Sequence, residues 1–291
     1  MITDVLAEEQ DLRGNALNAQ RFRMLSDIAE ELKERVVFPV CFDLTISIRN
    51  ALQKKHSVEH LRQLLRLDPL VGAKLLRVAG SKAKRQKQPR IAELEGAFAM
   101  LDDEAILRVA TEMSTTQLLR SRFLADFSDW IELLWERSLS MAATAHVLAE
   151  KFTDIPPEQA MFAALCHDLP LYYMLYRAVQ YPELRARPAS LQHLVIGWHG
   201  GIAESLLTSL DLPQEIVVAV CREPQTPLTR ELKTLNDIVQ ISNALAGPLS
   251  EARASAGHSS LDEHYLGEQA EIRAFRQALR RSYSPVKAQL A

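Results

Sequence analysis

The sequence has few cysteines, a small charge imbalance and none of the common nucleotide-binding or nucleophile motifs. Cys41, Cys166 and Cys221 are far apart and form no CxxC pair, which argues against a disulfide framework or a structural zinc knuckle. The net charge of −3 gives no support for binding to duplex nucleic acid. Because the GxSxG, P-loop and GxGxxG patterns are missing, the sequence indicates neither a serine nucleophile nor a glycine-rich phosphate cradle.

Long apolar runs are also missing. No stretch approaches the length that crosses a bilayer, and the opening MITDVLAEEQDLRG is acidic where a signal peptide is basic. We therefore expect a cytoplasmic protein with no membrane association. Hydrophobic residues make up 47% of the chain, against only 10 glycines and 13 prolines, so a substantial folded core is expected.

Strand-like alternation is almost absent, and helical spacing takes its place. Ser57 and Asp68 stand where N-caps begin new helices, and Pro69 suits a first helical position. Gly80 is predicted to end the second of these helices. The pattern predicts an all-α fold of two helical lobes, with an extension, a central domain and a tail that carries a helix. The expected bounds are 1–20 for the extension, 21–250 for the domain (lobes of about 21–122 and 123–250) and 251–291 for the tail.

Five phrases occur in the order that is typical of one family. They are LLRLDPLVGAKLLRVAGS from Leu64, LWERSLSMAA from Leu134, CHDL at His167, LP at Leu212 and IVQISNALA from Ile238. Over roughly residues 20 to 250 the chain resembles the HDOD domain. That resemblance implies a fold related to the HD metal-dependent phosphohydrolases and a bacterial-type signalling role, which in this family is often without demonstrated enzyme activity.

The resemblance also marks the positions that hold metal in HD hydrolases, where imidazoles and carboxylates lower the pKa of a bound water. His167 and Asp168 match the central pair, and His199 matches another histidine. Arg137 replaces the first histidine, and Asn243 replaces the final aspartate. A later histidine pair is replaced near Glu223. The expected degenerate site therefore comprises Arg137, His167, Asp168, His199, Glu223 and Asn243, with no metal, no cofactor and no catalytic residue.

Several interpretations of these residues remain open. In one, Arg137 forms an ion pair with Asp168 in the place of a metal, and His167 is a buried histidine with ordinary hydrogen-bond partners. In another, His167, Asp168 and His199 gather a metal with help from Cys221, Glu223 or Asn243, and the protein is a working phosphohydrolase. A zinc site that includes Cys166 or Cys221 is disfavoured because its spacing matches no tetrahedral signature.

A basic stretch, SKAKRQKQPR, is predicted as a loop between helices. It is either a solvated turn or a docking patch for an acidic partner or a phosphate-bearing ligand. A sensor of cyclic nucleotides or another small effector is thus a third candidate function. The sequence favours a non-catalytic regulatory protein that acts through a protein partner, which it does not identify. The candidate patch comprises Lys82, Lys84, Arg85, Lys87 and Arg90.

Overall fold

The structure is a computed structural model that describes residues 2–33, 36–54, 57–222, 232–246 and 268–283. Throughout these ranges the regular elements are helices, which confirms the all-α prediction. A 3₁₀ turn at Arg122–Phe127 links the two lobes. The α-helices are α1 (Ile2–Glu31), α2 (Phe42–Gln53), α3 (Val58–Leu67), α4 (Pro69–Arg85), α5 (Leu94–Met100), α6 (Asp103–Ser121), α7 (Ser128–Phe152), α8 (Pro157–His167), α9 (Leu169–Ala178), α10 (Pro182–Arg185), α11 (Pro188–Ser209), α12 (Gln214–Cys221), α13 (Leu235–Leu245) and α14 (Gln269–Tyr283).

The N-terminal lobe, α2 to α6, is organised around a buried aspartate. Asp68 caps α4 by accepting hydrogen bonds from the backbone N–H groups of Leu70 and Val71, at 3.0 and 3.1 Å. Its second oxygen accepts a 2.6 Å bond from Gln117 on α6. The side-chain carbonyl oxygen of Gln117 in turn accepts a hydrogen bond from the backbone N–H of Val40, at 3.2 Å. One carboxylate therefore ties α4, α6 and the segment before α2 together.

Helix α4 differs from the prediction at its end. It continues past Gly80 to Arg85, because a glycine inside a helix costs only about 1 kcal/mol and tertiary packing outweighs it. The basic stretch is consequently not a loop throughout. Lys82, Lys84 and Arg85 occupy the last turns of α4, where their positive charges complement the negative end of the helix dipole.

The C-terminal lobe is built on α7, which packs against α8 and α13. Small residues such as Ala142, Ala145 and Ala149 on α7 and Ala160 and Ala164 on α8 are fully buried, so the backbones of these two helices approach closely. This close packing brings residues in the middle of α7 next to the end of α8, where the candidate site lies.

The two lobes share one hydrophobic core. At the contact between α4 and α8, Gly72 faces the ring of Phe162, and an added Cβ would lie only 2.5 Å from its Cε2 atom. Glycine at this position therefore permits the lobes to meet. In the described ranges no helix is both long and apolar enough for a membrane span. Helix α1 runs continuously through residue 20, the expected end of the extension; the domain boundaries remain predictions.

Candidate functional site

The junction between α8 and α9 forms the centre of the site. His167 is the last residue of α8, and Asp168 follows it directly as the residue between the two helices. Arg137 comes from α7, His199 from α11 and Asn243 from α13. Four of these five side chains are linked by direct hydrogen bonds, and His199 is bonded to the backbone of His167. The structure thus brings together five of the six residues that the resemblance marks.

Arg137 and Asp168 form a buried ion pair. Nη1 of the guanidinium lies 2.7 Å from both carboxylate oxygens. The Asp168 side chain is 0% exposed and that of Arg137 is 8% exposed. Hydrogen bonds between charged groups are about twice as strong as neutral ones, and here water does not compete for them.

The remaining hydrogen-bonding capacity of Asp168 is also in use. Ser138 donates its hydroxyl hydrogen to Oδ2 at 2.9 Å, and Nδ1 of His167 donates to Oδ1 at 2.9 Å. Ser138 lies 3.2 Å from the hydroxyl of Tyr172, which extends the buried network into α9. Burial and the nearby Asp168 charge raise the pKa of Tyr172 well above its usual value, so this hydroxyl is neutral.

The second terminal nitrogen of Arg137 reaches α13. Nη2 donates a hydrogen bond to the side-chain carbonyl oxygen of Asn243. Because Nη1 binds Asp168 and Nη2 binds Asn243, the planar guanidinium bridges the two positions at which the HD pattern has carboxylates. The same side chain therefore joins α7, the α8–α9 junction and α13.

The charge of Arg137 decides the ionisation of Asp168. Burial alone would raise the pKa of this carboxyl, but the guanidinium and the hydrogen bond from His167 lower it well below the usual range. Asp168 is therefore a carboxylate at neutral pH, and the ion pair is fully formed.

His199 completes the site from α11. Its Nε2 atom lies 2.7 Å from the backbone carbonyl oxygen of His167. Since a carbonyl only accepts, Nε2 carries the hydrogen and Nδ1 is left as the acceptor. The two imidazole rings are 4.8 Å apart. Burial, with a smaller contribution from His167, lowers the pKa of His199 to about 4, so the ring is neutral at pH 7.

The geometry can be tested for its fit to a divalent metal. Ligand atoms of His167, Asp168 and His199 lie within 4.8 Å of one another, which is close enough for a shared ion. However, both oxygens of Asp168 already accept hydrogen bonds, and a permanent positive charge lies 2.7 Å from each of them. A divalent cation bound to Asp168 would be strongly repelled by the guanidinium of Arg137 at this distance. The site as arranged therefore does not fit a divalent cation.

The other predicted residues lie elsewhere. Glu223 falls outside the described residues. In the basic patch, Lys82 pairs with Asp102 at 3.6 Å, whereas Lys84, Arg85, Lys87 and Arg90 are exposed. Arg90 and Lys84 line a cavity of about 500 Å³ that also contacts Asp211 and Pro213.

The family positions do not include Ser138 and Tyr172, which also belong to the network. Ser138 directly follows Arg137 in the family phrase, and this adjacency was the only available signal. Tyr172 carries no such signal in the sequence. Its hydroxyl meets Ser138 because α9 folds back beside α7, a tertiary contact that no local pattern encodes.

Comparison with known proteins identifies the class. The model of the HDOD domain matches residues 38–225, so the chain belongs to the HDOD family. No curated protein matches the chain.

Two solved structures resemble it. One is the MmoQ response regulator from Methylococcus capsulatus strain Bath, at 21% identity and a TM-score of 0.54, covering 78% of this chain and 96% of the other. The other, from Shewanella amazonensis SB2B, is provisionally described as a metal-dependent phosphohydrolase. It has 14% identity and a TM-score of 0.49, covering 92% of this chain and 99% of that one. At such identities the likeness concerns the fold alone.

Proposed function

We propose that this HDOD protein is a non-catalytic regulatory protein that acts in signalling by binding another protein. The observation that carries the proposal is the guanidinium of Arg137, which bridges Asp168 and Asn243. In a hydrolase of the HD type, a metal ion would have to stabilise the charges gathered at this point. Here Arg137 supplies a positive charge that can neither exchange nor activate water.

The role of Arg137 on this proposal is structural. It supports a stable arrangement of α7, α8, α9 and α13 without dependence on metal. The shared core of the two lobes then gives a rigid body, and rigid bodies present binding surfaces at low entropic cost. Family membership supports the signalling role, because HDOD proteins are generally regarded as regulatory.

The test is metal content and hydrolysis by the full chain. We expect that protein incubated with Mn²⁺ and freed of excess ion carries no stoichiometric metal, and that it does not hydrolyse bis(4-nitrophenyl) phosphate above a His167→Ala control. One equivalent of bound Mn²⁺, together with hydrolysis that is lost in His167→Ala, would contradict the proposal.

A second candidate function, a metal-dependent phosphohydrolase, rests on one observation. The ligand atoms of His167, Asp168 and His199 are close enough to share an ion. For this function Arg137 would have to swing away from Asp168, leaving a site with two imidazoles and one carboxylate. Breaking a buried ion pair costs about 3–5 kcal/mol, and metal binding would have to offset that cost. The first candidate requires no such rearrangement.

A third candidate, sensing of a nucleotide, rests on the exposed cations Lys84 and Arg90 beside the 500 Å³ cavity. Arginine and lysine bind phosphate oxygens through charge-assisted hydrogen bonds. Titration with a cyclic dinucleotide tests it, with Lys84→Ala/Arg90→Ala as the matched variant. Saturable binding that this variant loses would support the third candidate, and the same binding in both proteins would remove the patch from consideration.

A further inference from the structure

The C-terminal helix α14 lies outside the residues that match the HDOD family. The match ends at residue 225, whereas α14 spans Gln269–Tyr283 and is joined to α13 through residues 247–267. It nevertheless packs along α7, with additional contacts to α2 and α3. An appended helix thus covers one face of the long central helix of the C-terminal lobe.

The apolar part of this contact is small. Ile272 is buried against Ala143 and Val147 of α7, while Phe275 and Leu279 are only partly buried beside it. Alanine and valine offer little surface, so the contact removes much less apolar area from water than the packing inside the lobe does. The ring of Phe275 also stacks on His146, with centroids 4.2 Å apart. The helix is therefore held by a narrow apolar stripe.

Ion pairs at both ends of α14 fix its orientation on α7. At the start of α14, Glu268 and Glu271 both pair with Lys151 at the end of α7. Near its other end, Arg280 pairs with Glu136 at 3.2 Å. These side chains are partly exposed, and such pairs contribute little stability while they fix orientation. The face of α7 thus selects a helix that is acidic at its start and basic at its end.

Helix α14 also borders a cavity. Arg280 lines a space of about 610 Å³ whose wall includes Val40 from the segment before α2, Leu124 from the 3₁₀ turn between the lobes and Trp135 from α7. All three of these apolar side chains are buried. Removing α14 would therefore take Arg280 out of the wall of this cavity and uncover the α7 face in the same step.

We propose that the α7 face formed by Glu136, Ala143, His146, Val147 and Lys151 is a receptor for an amphipathic helix of a partner protein, and that α14 occupies it until the partner displaces it. The partner helix has the pattern of α14: two acidic residues three apart, apolar residues four, seven and eleven positions after the first of them, and a basic residue next to the last. This inference deepens the proposed function and rests on it, because it names the surface through which the protein would bind.

The experiment uses the full chain and a fluorescent synthetic peptide of residues 268–283. In the wild type, α14 competes with the peptide. Ile272→Asp places a carboxylate on the apolar stripe and is expected to release α14. The peptide should then bind about tenfold more tightly or better, because apparent affinity scales with the fraction of chains whose face is open. Ala274→Asp, which adds the same charge on the exposed side of α14, should bind the peptide as weakly as the wild type.

Adding Lys151→Glu to the Ile272→Asp chain should abolish peptide binding, which identifies the face. If Ile272→Asp folds, as judged by circular dichroism and its melting transition, and still binds the peptide no better than the wild type, the inference is overturned. A wild-type dimer that becomes a monomer in Ile272→Asp would instead assign the face to a second copy, and it too would overturn the inference.

These outcomes are separable from failure of the proposed function. Metal-dependent hydrolysis by the wild type would refute the non-catalytic role without affecting peptide binding. Unchanged peptide binding would refute only the receptor face.

Discussion

Asp68 and Asp168 are two buried aspartates at similar places in their lobes, each between two helices and each followed within two residues by a proline. Their carboxyls have opposite pKa shifts. Burial raises the pKa of Asp68, because its partners are two backbone N–H groups and the Gln117 amide, all uncharged. Burial also acts on Asp168, but Arg137 outweighs it and lowers the pKa.

Burial by itself therefore does not decide what an aspartate does. The Asp68 side chain bends back to cap α4, whereas that of Asp168 makes no capping bond to α9 and turns toward Arg137 instead. The capping bonds of Asp68 are local, because both donors lie within three residues of it, and its second oxygen is also bound by Gln117 on α6. Asp168 instead depends on Arg137 of α7, which lies 31 positions away along the chain.

The largest expected effect comes from removing the cation. Arg137→Met should destabilise the protein by about 3–5 kcal/mol, because Asp168 would remain buried without a counterion. Urea unfolding followed by circular dichroism measures the loss. The double variant Arg137→Met/Asp168→Leu removes both charges and should recover most of the loss. A single variant as stable as the wild type would contradict the account.

A pH titration addresses the neutral histidine beside the ion pair. The folded pKa of His199 is about 4, below its unfolded value near 6.5, so the unfolded state takes up a proton first as pH falls. Stability should therefore decrease by about 3 kcal/mol between pH 6.5 and 4. The contribution of Asp168, whose folded pKa is lowered, is present above about pH 4 and is lost only at lower pH.

His199→Gln should flatten this decrease between pH 6.5 and 4, because glutamine can donate to the His167 carbonyl without titrating. His193→Gln, an exposed histidine on the same helix, is the matched control and should leave the slope unchanged. An equal slope in the wild type and in His199→Gln would show that His199 is not the group responsible.

Two glycines on α4 should respond in opposite ways to substitution by alanine. Gly72→Ala should cost about 1–3 kcal/mol, because the new Cβ would meet the Phe162 ring of the other lobe. Gly80→Ala should instead stabilise by about 0.5–1 kcal/mol, since nothing lies within 4 Å of the position that the new methyl group would occupy. Thermal unfolding of the two variants distinguishes them, and equal shifts would refute the close approach of the lobes.

The smallest loss of stability is expected at Asp68. Asp68→Asn should cost only about 1 kcal/mol, because the amide oxygen can still accept from Leu70 and Val71 while only the Gln117 bond is lost. The free energy of unfolding at pH 7 measures it. A loss as large as that of Arg137→Met would mean that the two aspartates are not held differently.

The starts of helices could be predicted from the sequence, because they depend on local chemistry. Ser57 and Asp68 cap helices as expected, because a cap depends on residues within one turn. Asp102 caps α6 in the same way, by accepting a hydrogen bond from the backbone N–H of Ala105. The prediction that α4 ends at Gly80 was wrong. Glycine weakens a helix only slightly, and the surrounding contacts decide where the helix ends.

The site was predictable only in part. The resemblance to the HDOD family indicated six candidate residues, and five of them lie together in the structure. Local sequence does not predict the hydrogen bond from Arg137 to Asn243 or the contact between Tyr172 and Ser138. Both contacts depend on how α7, α9 and α13 pack. The docking of α14 on α7 is equally long-range, and the sequence predicted only that the tail carries a helix.

Calorimetric titration of Mn²⁺ into the wild type and into the double variant Arg137→His/Asn243→Asp tests the central claim most directly. The variant restores an imidazole and a carboxylate and removes the fixed cation. We predict no saturable binding by the wild type and one bound ion in the variant. One Mn²⁺ bound to the wild type, with affinity lost in His167→Ala, would contradict the claim that Arg137 takes the place of the metal.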